Sequence, residues 1–178
     1  MQVGLKLATE AFPPKEIVRQ TVRAEQAGFD FVELSDHFHP WLDVQGHSSF
    51  TWSVLGAMAA RTERIGLATG VTCPMIRYHP AVIAQAIATL GAMFPGRFWV
   101  ALGSGEASNE HITGAAWPRK PVRERRLREC VDVIRALLAG EEVSHNGLIT
   151  VDHARLWTRP EHLPPLVGFG VRLAVAGR

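Results

Sequence analysis

The sequence predicts an α/β fold with a parallel sheet, either a doubly wound open sheet or a (β/α)8 TIM-barrel type truncated to about the first four to five strand–helix units. Three observations predict it: short apolar strands alternate with helical patterns, the alternation is regular, and polar glycine-bearing segments follow the strands. Such alternation gives parallel strands joined by right-handed crossovers. A doubly wound open sheet fits the same alternation. A complete barrel needs eight units and about 250 residues, whereas this chain has 178 residues.

The predicted strands are short apolar runs, which suit a sheet that is covered on both faces. They span residues 3–7, 29–34, 65–71, 97–103 and, as a fifth strand, 164–169. Residues 143–156 break this rhythm, because the turn sequence His145-Asn146-Gly147 stands there between β-branched residues. The pattern predicts a β-hairpin inserted before the fifth strand.

The predicted helices span residues 14–27, 50–60, 80–93 and 122–138. Gly28 and Gly140 stand as stop signals after the first and fourth helices, and Pro80 occupies the favoured first position of the third. The fourth helix is strongly amphipathic, with one apolar stripe formed by Leu127, Val131, Ile134 and Leu138. We therefore predict a single domain over residues 1–178, incomplete at its C-terminus because the last residues start a helix without a stop signal.

Composition and charge exclude several classes of protein. The 19 basic and 17 acidic residues give a formal net charge of +2. The one basic cluster, residues 123–128, is interrupted by Glu124, which argues against a nucleic-acid groove. Two cysteines cannot build a disulfide framework or a zinc module, which fits a reducing compartment.

The sequence also argues against secretion and membrane insertion. Lys6 and Glu10 interrupt any apolar segment of a secretory signal. The apolar stretch 81–94 is too short to cross a bilayer. We therefore expect a cytoplasmic protein that acts on a small-molecule substrate, with no nucleic-acid or membrane partner.

The unusual side chains gather where the predicted strands end. In parallel α/β folds, ligands bind at the carboxyl ends of the strands. Polar, glycine-bearing segments stand at four such ends, at residues 35–41, 69–74, 103–110 and 168–170. The segment Gly103-Ser104-Gly105 lacks the third glycine of a dinucleotide fingerprint, but its backbone amides suit a planar cofactor or a phosphate. The sequence therefore predicts one binding site formed by these segments.

The segment after the second strand has two other interpretations. Asp36 and His37 would also fit a helix cap beside a hydrogen-bonded histidine. A metal site would use these two residues with His39, Asp43 and His47. Their spacing matches no zinc template, and His37 and His39 would alternate faces on an extended strand. We therefore predict no metal.

Three segments, taken in order and at their separations, resemble one known superfamily. They are Ser35-Asp36-His37-Phe38-His39-Pro40-Trp41, then Arg77-Tyr78-His79-Pro80-Ala81-Val82-Ile83-Ala84-Gln85-Ala86, then Gly103-Ser104-Gly105-Glu106-Ala107-Ser108-Asn109-Glu110. Together they resemble the luciferase-like superfamily, and within it the deazaflavin oxidoreductases similar to coenzyme F420-dependent glucose-6-phosphate dehydrogenase. The likeness extends from residue 1 to about residue 156.

The resemblance implies a (β/α)8 barrel that binds the deazaflavin coenzyme F420 at its mouth and transfers a hydride to or from an alcohol or sugar-phosphate-type substrate. It implies that His37 is the acid/base partner of the substrate hydroxyl and that Trp41 packs beside the reacting centre. Glu106 would exchange a proton near the ring nitrogen, which calls for a pKa raised by burial among aromatic residues.

The resemblance also implies the residues that bind the cofactor. These are Asp36, Gly70, Val71, Cys73, Ser104, Gly105, Asn109, Gly168 and Gly170. A non-prolyl cis peptide bond is expected at Gly70-Val71. Cys73 departs from the threonine that is usual at its position. An FMN-dependent monooxygenase of the wider luciferase-like group is an alternative.

Strands six to eight of the implied barrel are absent from the chain, and the resemblance therefore does not transfer a substrate. A half barrel leaves two sheet edges and an inner face uncovered, which favours aggregation or pairing. We therefore expect a fragment or truncated gene product. A homodimer and a non-catalytic remnant of an oxidoreductase are the two alternatives that follow.

Overall fold

A parallel sheet of five strands forms the centre of the protein in the computed structural model, which describes residues 1–168. Its strands are β1 (Gly4–Leu7), β2 (Phe31–Leu34), β3 (Gly66–Thr72), β4 (Phe98–Leu102) and β7 (Leu166–Gly168). The strands lie side by side in the order β1-β2-β3-β4-β7, each parallel to its neighbour. This unreversed order is that of a barrel wall, because a doubly wound sheet changes direction at a switch point.

Helices connect the successive strands. They are α1 (Pro14–Gln26), α2 (Thr51–Ala60), α3 (Pro80–Met93), the one-turn α4 (Ala107–Glu110) and α5 (Lys120–Ala139). Single 3-10 turns lie at Asp43–Gln45 and His111–Thr113. The four long helices match the predicted ones to within a few residues. The short α4 was missed, because four residues carry no helical period.

The predicted hairpin is present beside the sheet. Strands β5 (Val143–Asn146) and β6 (Thr150–Ala154) pair in antiparallel fashion and form a separate two-stranded sheet. After the hairpin, β7 pairs in parallel with β4, which confirms a fifth strand within the predicted range. Gly168 ends β7, whereas Gly170, which was predicted to bind the cofactor, lies outside the described residues.

The hydrophobic core lies between the helices and one face of the sheet. The apolar stripe of α5 is fully buried there, as predicted. Among the largest fully buried side chains are Leu34 on β2, Leu55 on α2, Ile83 on α3 and Leu102 on β4. These contacts fix the strand ends relative to the helices, and the strand ends carry the polar segments. Among residues 1–168 no helix is both long and apolar enough to cross a membrane.

The opposite face of the sheet carries a different set of side chains. Lys6 and Glu33 are register partners on β1 and β2, and Phe31 meets Trp99 edge to face at 5.9 Å between ring centroids. All four are exposed or half-buried in the described part of the chain. In a barrel this is the inner face.

One carboxylate ties α1 to the beginning of β3. Glu25 Oε1 accepts hydrogen bonds from the backbone N–H groups of three consecutive residues, Glu63, Arg64 and Ile65, at 2.7 to 3.0 Å. Partial burial alone would raise the pKa of Glu25, but these bonds outweigh it and lower the pKa below its usual value. The charged form is therefore the one that holds this turn together.

We expect Glu25→Ala to lower the free energy of unfolding by about 1–2 kcal/mol at neutral pH, since a charged acceptor of three N–H groups is lost at a partly solvated site. Because the folded-state pKa is lowered, the contribution is present above about pH 4.5 and is lost as the pH falls through the folded value. Urea unfolding at pH 7 and pH 4 measures both effects. Glu142→Ala, at an exposed glutamate, is the matched control, and an equal effect of the two variants would contradict the assignment.

Candidate functional site

A cavity of about 520 Å³ opens at the carboxyl ends of β1 to β4. Its wall combines the segment after β1 with three of the four predicted polar segments. The lining residues are Lys6, Ala8, Glu10, Glu33, Ser35, Asp36, His37, Trp41, Gly70, Val71, Cys73, Gly103, Ser104, Gly105, Glu106, Asn109 and Glu110. The structure therefore brings together every predicted site residue except Gly168, which ends β7 but does not line this cavity, and Gly170.

His37 is held by a buried carboxylate. Its Nδ1 is hydrogen-bonded to Glu10 Oε1, and Ser35 Oγ donates to the other oxygen of the same carboxylate at 2.6 Å. The Glu10 side chain is 1% exposed and that of His37 is 19% exposed. The imidazole is thus anchored on its inner side and open to the cavity on the other.

The charge state of Glu10 determines the tautomer of His37. Burial alone would raise the pKa of Glu10, but the hydrogen bonds from His37 and Ser35 outweigh burial and lower it to about 2. An ionised carboxylate can only accept hydrogen bonds, so the Nδ1 of His37 must donate. In the neutral imidazole, Nε2 is then the acceptor and can take a proton from a ligand in the cavity.

Trp41 stands beside His37. The two rings meet edge to face, with 5.1 Å between their centroids and an interplanar angle of 88°. The indole is 59% exposed in the described part of the chain. It lines the cavity mouth, where it can cover the imidazole and a bound ligand.

The Gly70-Val71 segment and the loop 103–105 form another part of the cavity wall. The Gly70-Val71 peptide bond is cis, as expected from the resemblance. A Cβ atom added at Gly103 would lie 2.7 Å from Val71 Cγ2, and one at Gly105 would lie 2.5 Å from Cys73 Sγ. Gly105 also has a φ of +68°, which favours glycine. A side chain at either position would therefore collide with Val71 or Cys73, so the two glycines let the loop 103–105 pack closely against these residues.

A buried ion network lies under the cavity. The Asp36 carboxylate accepts hydrogen bonds from Thr72 Oγ1 at 2.6 Å and Tyr78 OH at 2.9 Å, and it pairs with Arg77 Nη2 at 3.1 Å. Glu110 accepts from the backbone N–H of Arg77 at 2.7 Å and lies 3.5 Å from its Nε. The Asp36 and Glu110 side chains are both 1% exposed. Asp36 thus lines the cavity, but its side chain bonds to the protein.

Two other predicted cofactor ligands also make contacts within the protein. Asn109 Oδ1 accepts hydrogen bonds from the backbone N–H groups of Phe38 and His39 at 2.8 and 3.0 Å. It therefore fixes the loop that carries His37. Cys73 is buried against the 103–105 loop, and burial raises the pKa of its thiol. It is a neutral apolar contact in the wall, and cofactor binding by either residue stays a prediction.

The predicted burial of Glu106 is wrong for the described part of the chain, since its side chain lines the cavity but is exposed. The buried glutamate of this segment is Glu110, whose pKa is raised chiefly by burial. Glu106 is the N-cap residue of α4, whereas Glu110, the last residue of α4, is paired with the buried Arg77. The proton-exchange role of Glu106 stays a prediction.

Sequence reasoning missed Glu10 and Lys6 as site residues. Both were considered only as charges that interrupt an apolar N-terminus. The signal that could have found Glu10 is its place three residues after the last residue of β1, Leu7, because the rule that ligands bind at the carboxyl ends of strands applies to the first strand as well.

Within residues 1–168 the structure brings together no group of three or more histidine, cysteine, aspartate or glutamate side chains in a metal-binding arrangement. His39, one of the weighed metal ligands, instead stacks on His111, with ring centroids 5.2 Å apart.

Comparison with known proteins gives the family. The model of the luciferase-like monooxygenase family matches residues 1–176. The chain belongs to this family. The resemblance seen in the three sequence segments is therefore confirmed, and the barrel type of fold with it.

Relatives within the luciferase-like family carry F420 in their names. The chain is 47% identical over 185 residues to an F420-dependent glucose-6-phosphate dehydrogenase of Intrasporangium calvum, covering 100% of this chain and 55% of that protein. A solved F420-dependent secondary alcohol dehydrogenase, in complex with an F420-acetone adduct, is 41% identical with a TM-score of 0.90. The alignment covers 94% of this chain and 51% of that one. The chain thus spans about half the length of the relatives it matches.

A more distant neighbour has the same architecture. The coenzyme F420-dependent tetrahydromethanopterin reductase from Methanopyrus kandleri is 25% identical with a TM-score of 0.78, covering 94% of this chain and 49% of that one. Both of these alignments to solved F420-dependent enzymes cover about half of the larger chain.

The Glu10 carboxylate gives a pH-dependent contribution to stability. Because its pKa falls from 4.5 to about 2 on folding, the contribution is present above about pH 4.5 and is lost as the pH falls toward 2. It is worth on the order of 3 kcal/mol. We expect Glu10→Gln to reduce the dependence of the free energy of unfolding on pH in this window. Urea titrations at a series of pH values between about pH 6 and about pH 2.5 measure this dependence. An unchanged slope in the variant would contradict the assignment.

Removing the Arg77 side chain should destabilise the fold strongly. We expect Arg77→Met to lower the free energy of unfolding by about 3–5 kcal/mol, because two buried carboxylates lose their counter-charge. The triple variant that adds Asp36→Asn and Glu110→Gln should recover part of this loss, since neutral amides need no cation. Chemical denaturation of all three proteins measures the effect, and a loss in Arg77→Met no greater than in the triple variant would count against the network.

Proposed function

We propose that the protein is an oxidoreductase that transfers a hydride between coenzyme F420 and the hydroxyl-bearing carbon of an alcohol or sugar-phosphate-type substrate. The observation that carries the proposal is the Glu10–His37 pair in a cavity at the strand ends. The names of the relatives support the choice of cofactor. The proposal extends their activity to a chain that spans about half of their length.

The residues around the cavity fit a flat ring system. The volume of about 520 Å³ lies in the range of small-molecule sites. The Gly70-Val71 backbone and the loop 103–105 both line the cavity, and the loop packs closely against Val71 and Cys73 because Gly103 and Gly105 carry no Cβ atom. We propose that these segments, with Ser104 and Asn109, hold F420.

Coenzyme F420, when bound, supplies a ring carbon that accepts or returns a hydride. In the oxidising direction, the substrate carbon loses its hydrogen as hydride and the hydroxyl loses its proton. His37 Nε2 accepts that proton, because Nδ1 is already committed to Glu10. The Glu10 carboxylate, which is ionised before the proton is transferred, stabilises the resulting imidazolium. Glu10 and His37 together therefore act as a general base.

Trp41 and Glu106 complete the arrangement. The indole of Trp41 covers the imidazole edge and would exclude water from the hydroxyl, which strengthens the electrostatic interactions inside the site. Glu106 is an exposed carboxylate of the cavity wall, on the loop after β4, and we propose that it exchanges the proton of the cofactor ring.

The charges of the described cavity favour the alcohol over the sugar phosphate at this end of the site. Lys6 is the one lysine or arginine among the cavity-lining residues of the described chain, and it is already paired with Glu33. The acids Glu10, Glu33 and Glu106 stand around the same space. A phosphate group would therefore need cations that this wall does not supply.

We further propose that the protein works in the cytoplasm. Cys73 and Cys130 are both buried free thiols, which supports a reducing compartment. The homodimer also stays a prediction, and light scattering of the purified chain measures it.

Cofactor titration tests the proposed function. F420 and FMN are each titrated into the purified chain, followed by their absorbance and fluorescence, and a secondary alcohol and glucose 6-phosphate are then assayed with the cofactor that binds. We expect F420 to bind and the alcohol to reduce it. Preferential binding of FMN would favour the monooxygenase alternative, and binding of neither would favour the non-catalytic remnant.

We expect His37→Ala to lower turnover with F420 by about 10²–10⁴-fold, as for loss of a general base, while the Kd for F420 changes little. Stopped-flow reduction of F420 and equilibrium titration measure the two quantities. His162→Ala, at an exposed histidine that does not line the cavity, is the control. Weaker F420 binding with unchanged turnover would reject the role of His37.

A further inference from the structure

A second charged pair lies in the cavity, away from His37. Lys6 on β1 and Glu33 on β2 are register partners, with Lys6 Nζ 2.5 Å from Glu33 Oε1. The same ammonium also donates a hydrogen bond to the backbone carbonyl of Gly70 on β3. One side chain thus joins three neighbouring strands at the inner face of the sheet.

Gly70 stands where the pairing of β3 becomes irregular. The β2–β3 ladder ends at the pair Leu34–Thr69, and the β3–β4 register shifts between Thr69 and Thr72. The Gly70 carbonyl therefore lies outside the regular ladder, and Lys6 supplies a donor to it. A backbone carbonyl of this kind needs such a partner or water.

Gly70 and Glu33 are also fitted to each other sterically. A Cβ atom added at Gly70 would lie 1.5 Å from Glu33 Oε1, so the carboxylate occupies the space that any larger residue would need. The carboxylate in turn holds the ammonium against the Gly70 carbonyl. Lysine, carboxylate and glycine therefore form one unit in which each member fixes the next.

This unit supports the wall of the cavity. Lys6, Glu33, Gly70 and Val71 all line it, and Val71 Cγ2 occupies the space beside Gly103, where an added Cβ atom would lie 2.7 Å from it. A shift of the Gly70-Val71 backbone would therefore move the wall and press on the loop after β4.

We propose that Lys6 and Glu33 are positioning residues that fix the Gly70-Val71 backbone, and thereby the surface on which a flat cofactor packs. The cofactor part of this inference rests on the proposed function. The positioning part concerns the chain alone. Lysine suits the task because its ammonium has three donors, of which Glu33 and the Gly70 carbonyl use two.

Two measurements on the full chain test the proposal, with Lys6→Met as the main variant. Hydrogen exchange followed by mass spectrometry reports the backbone of residues 69–73 without any cofactor, and an F420 titration reports binding. Lys15→Met, on the exposed start of α1, is the matched control, and Lys6→Arg is the conservative variant that keeps charge and donors.

We expect Lys6→Met to speed exchange over residues 69–73 by about tenfold or more, since a charge-assisted hydrogen bond is lost locally, while exchange over α3 stays unchanged. The Kd for F420 should rise by about tenfold for the same reason. Lys6→Arg should restore both to near the wild-type values, which a loss of general stability would not predict.

Equal exchange over residues 69–73 in Lys6→Met and Lys15→Met would overturn the proposal. If Lys6→Met exchanges faster but the wild-type chain does not bind F420, the positioning role is supported and the proposed function is rejected. Failure of the positioning role and failure of the proposed function are therefore distinguishable. If Lys6→Met does not fold, the double variant K6M/E33M removes the unpaired carboxylate as well. If residues 69–73 of that variant exchange as slowly as in the wild type, the proposal is again overturned.

Discussion

The guanidinium of Arg77, buried between two carboxylates, is the interaction on which the candidate site depends. Asp36 follows β2, Arg77 follows β3 and Glu110 ends α4 after β4. Burial alone would lower the pKa of Arg77, but Asp36, Tyr78 and Glu110 outweigh it and raise the pKa. A buried cation of this kind is stable only while its partners stay in place. The network therefore fixes three strand-end segments relative to one another.

The residues that we propose as catalytic lie next to this network. His37 follows Asp36 in the chain, and Asn109, which precedes Glu110, holds the backbone of the loop that carries His37. The imidazole is thereby presented to Glu10, which comes from a fourth strand end. Buried charged groups whose side chains bond to the protein fix the position of the loop that carries His37. Other groups in the cavity wall remain available to a ligand. Asp36 and Glu110 belong to the first set, and His37 and Glu106 to the second.

Much of the fold could be predicted from the sequence because its elements are local patterns. The apolar stripe of α5 lies within one helix, and the stop signals and Pro80 act on adjacent backbone. The hairpin follows from its turn residues in the same way. The start of β2 and the existence of α4 could not be predicted, since the first depends on pairing with neighbouring strands and the second is a single turn without a period.

The sequence by itself determined three of the segments that form the site, because parallel strands bring their carboxyl ends to one edge whatever the details of packing. Only the tertiary structure decided which carboxylates face the cavity and which are paired within the protein. Glu106 and Glu110 are four residues apart and chemically identical, yet one is exposed in the cavity wall and the other is paired with Arg77. Glu10 and Lys6 were likewise assigned by their contacts with His37, which follows β2, and with Gly70 on β3, which lie 27 and 64 residues away in the chain. Burial and distant partners set the charge and role of such groups, and neither is written in the local pattern.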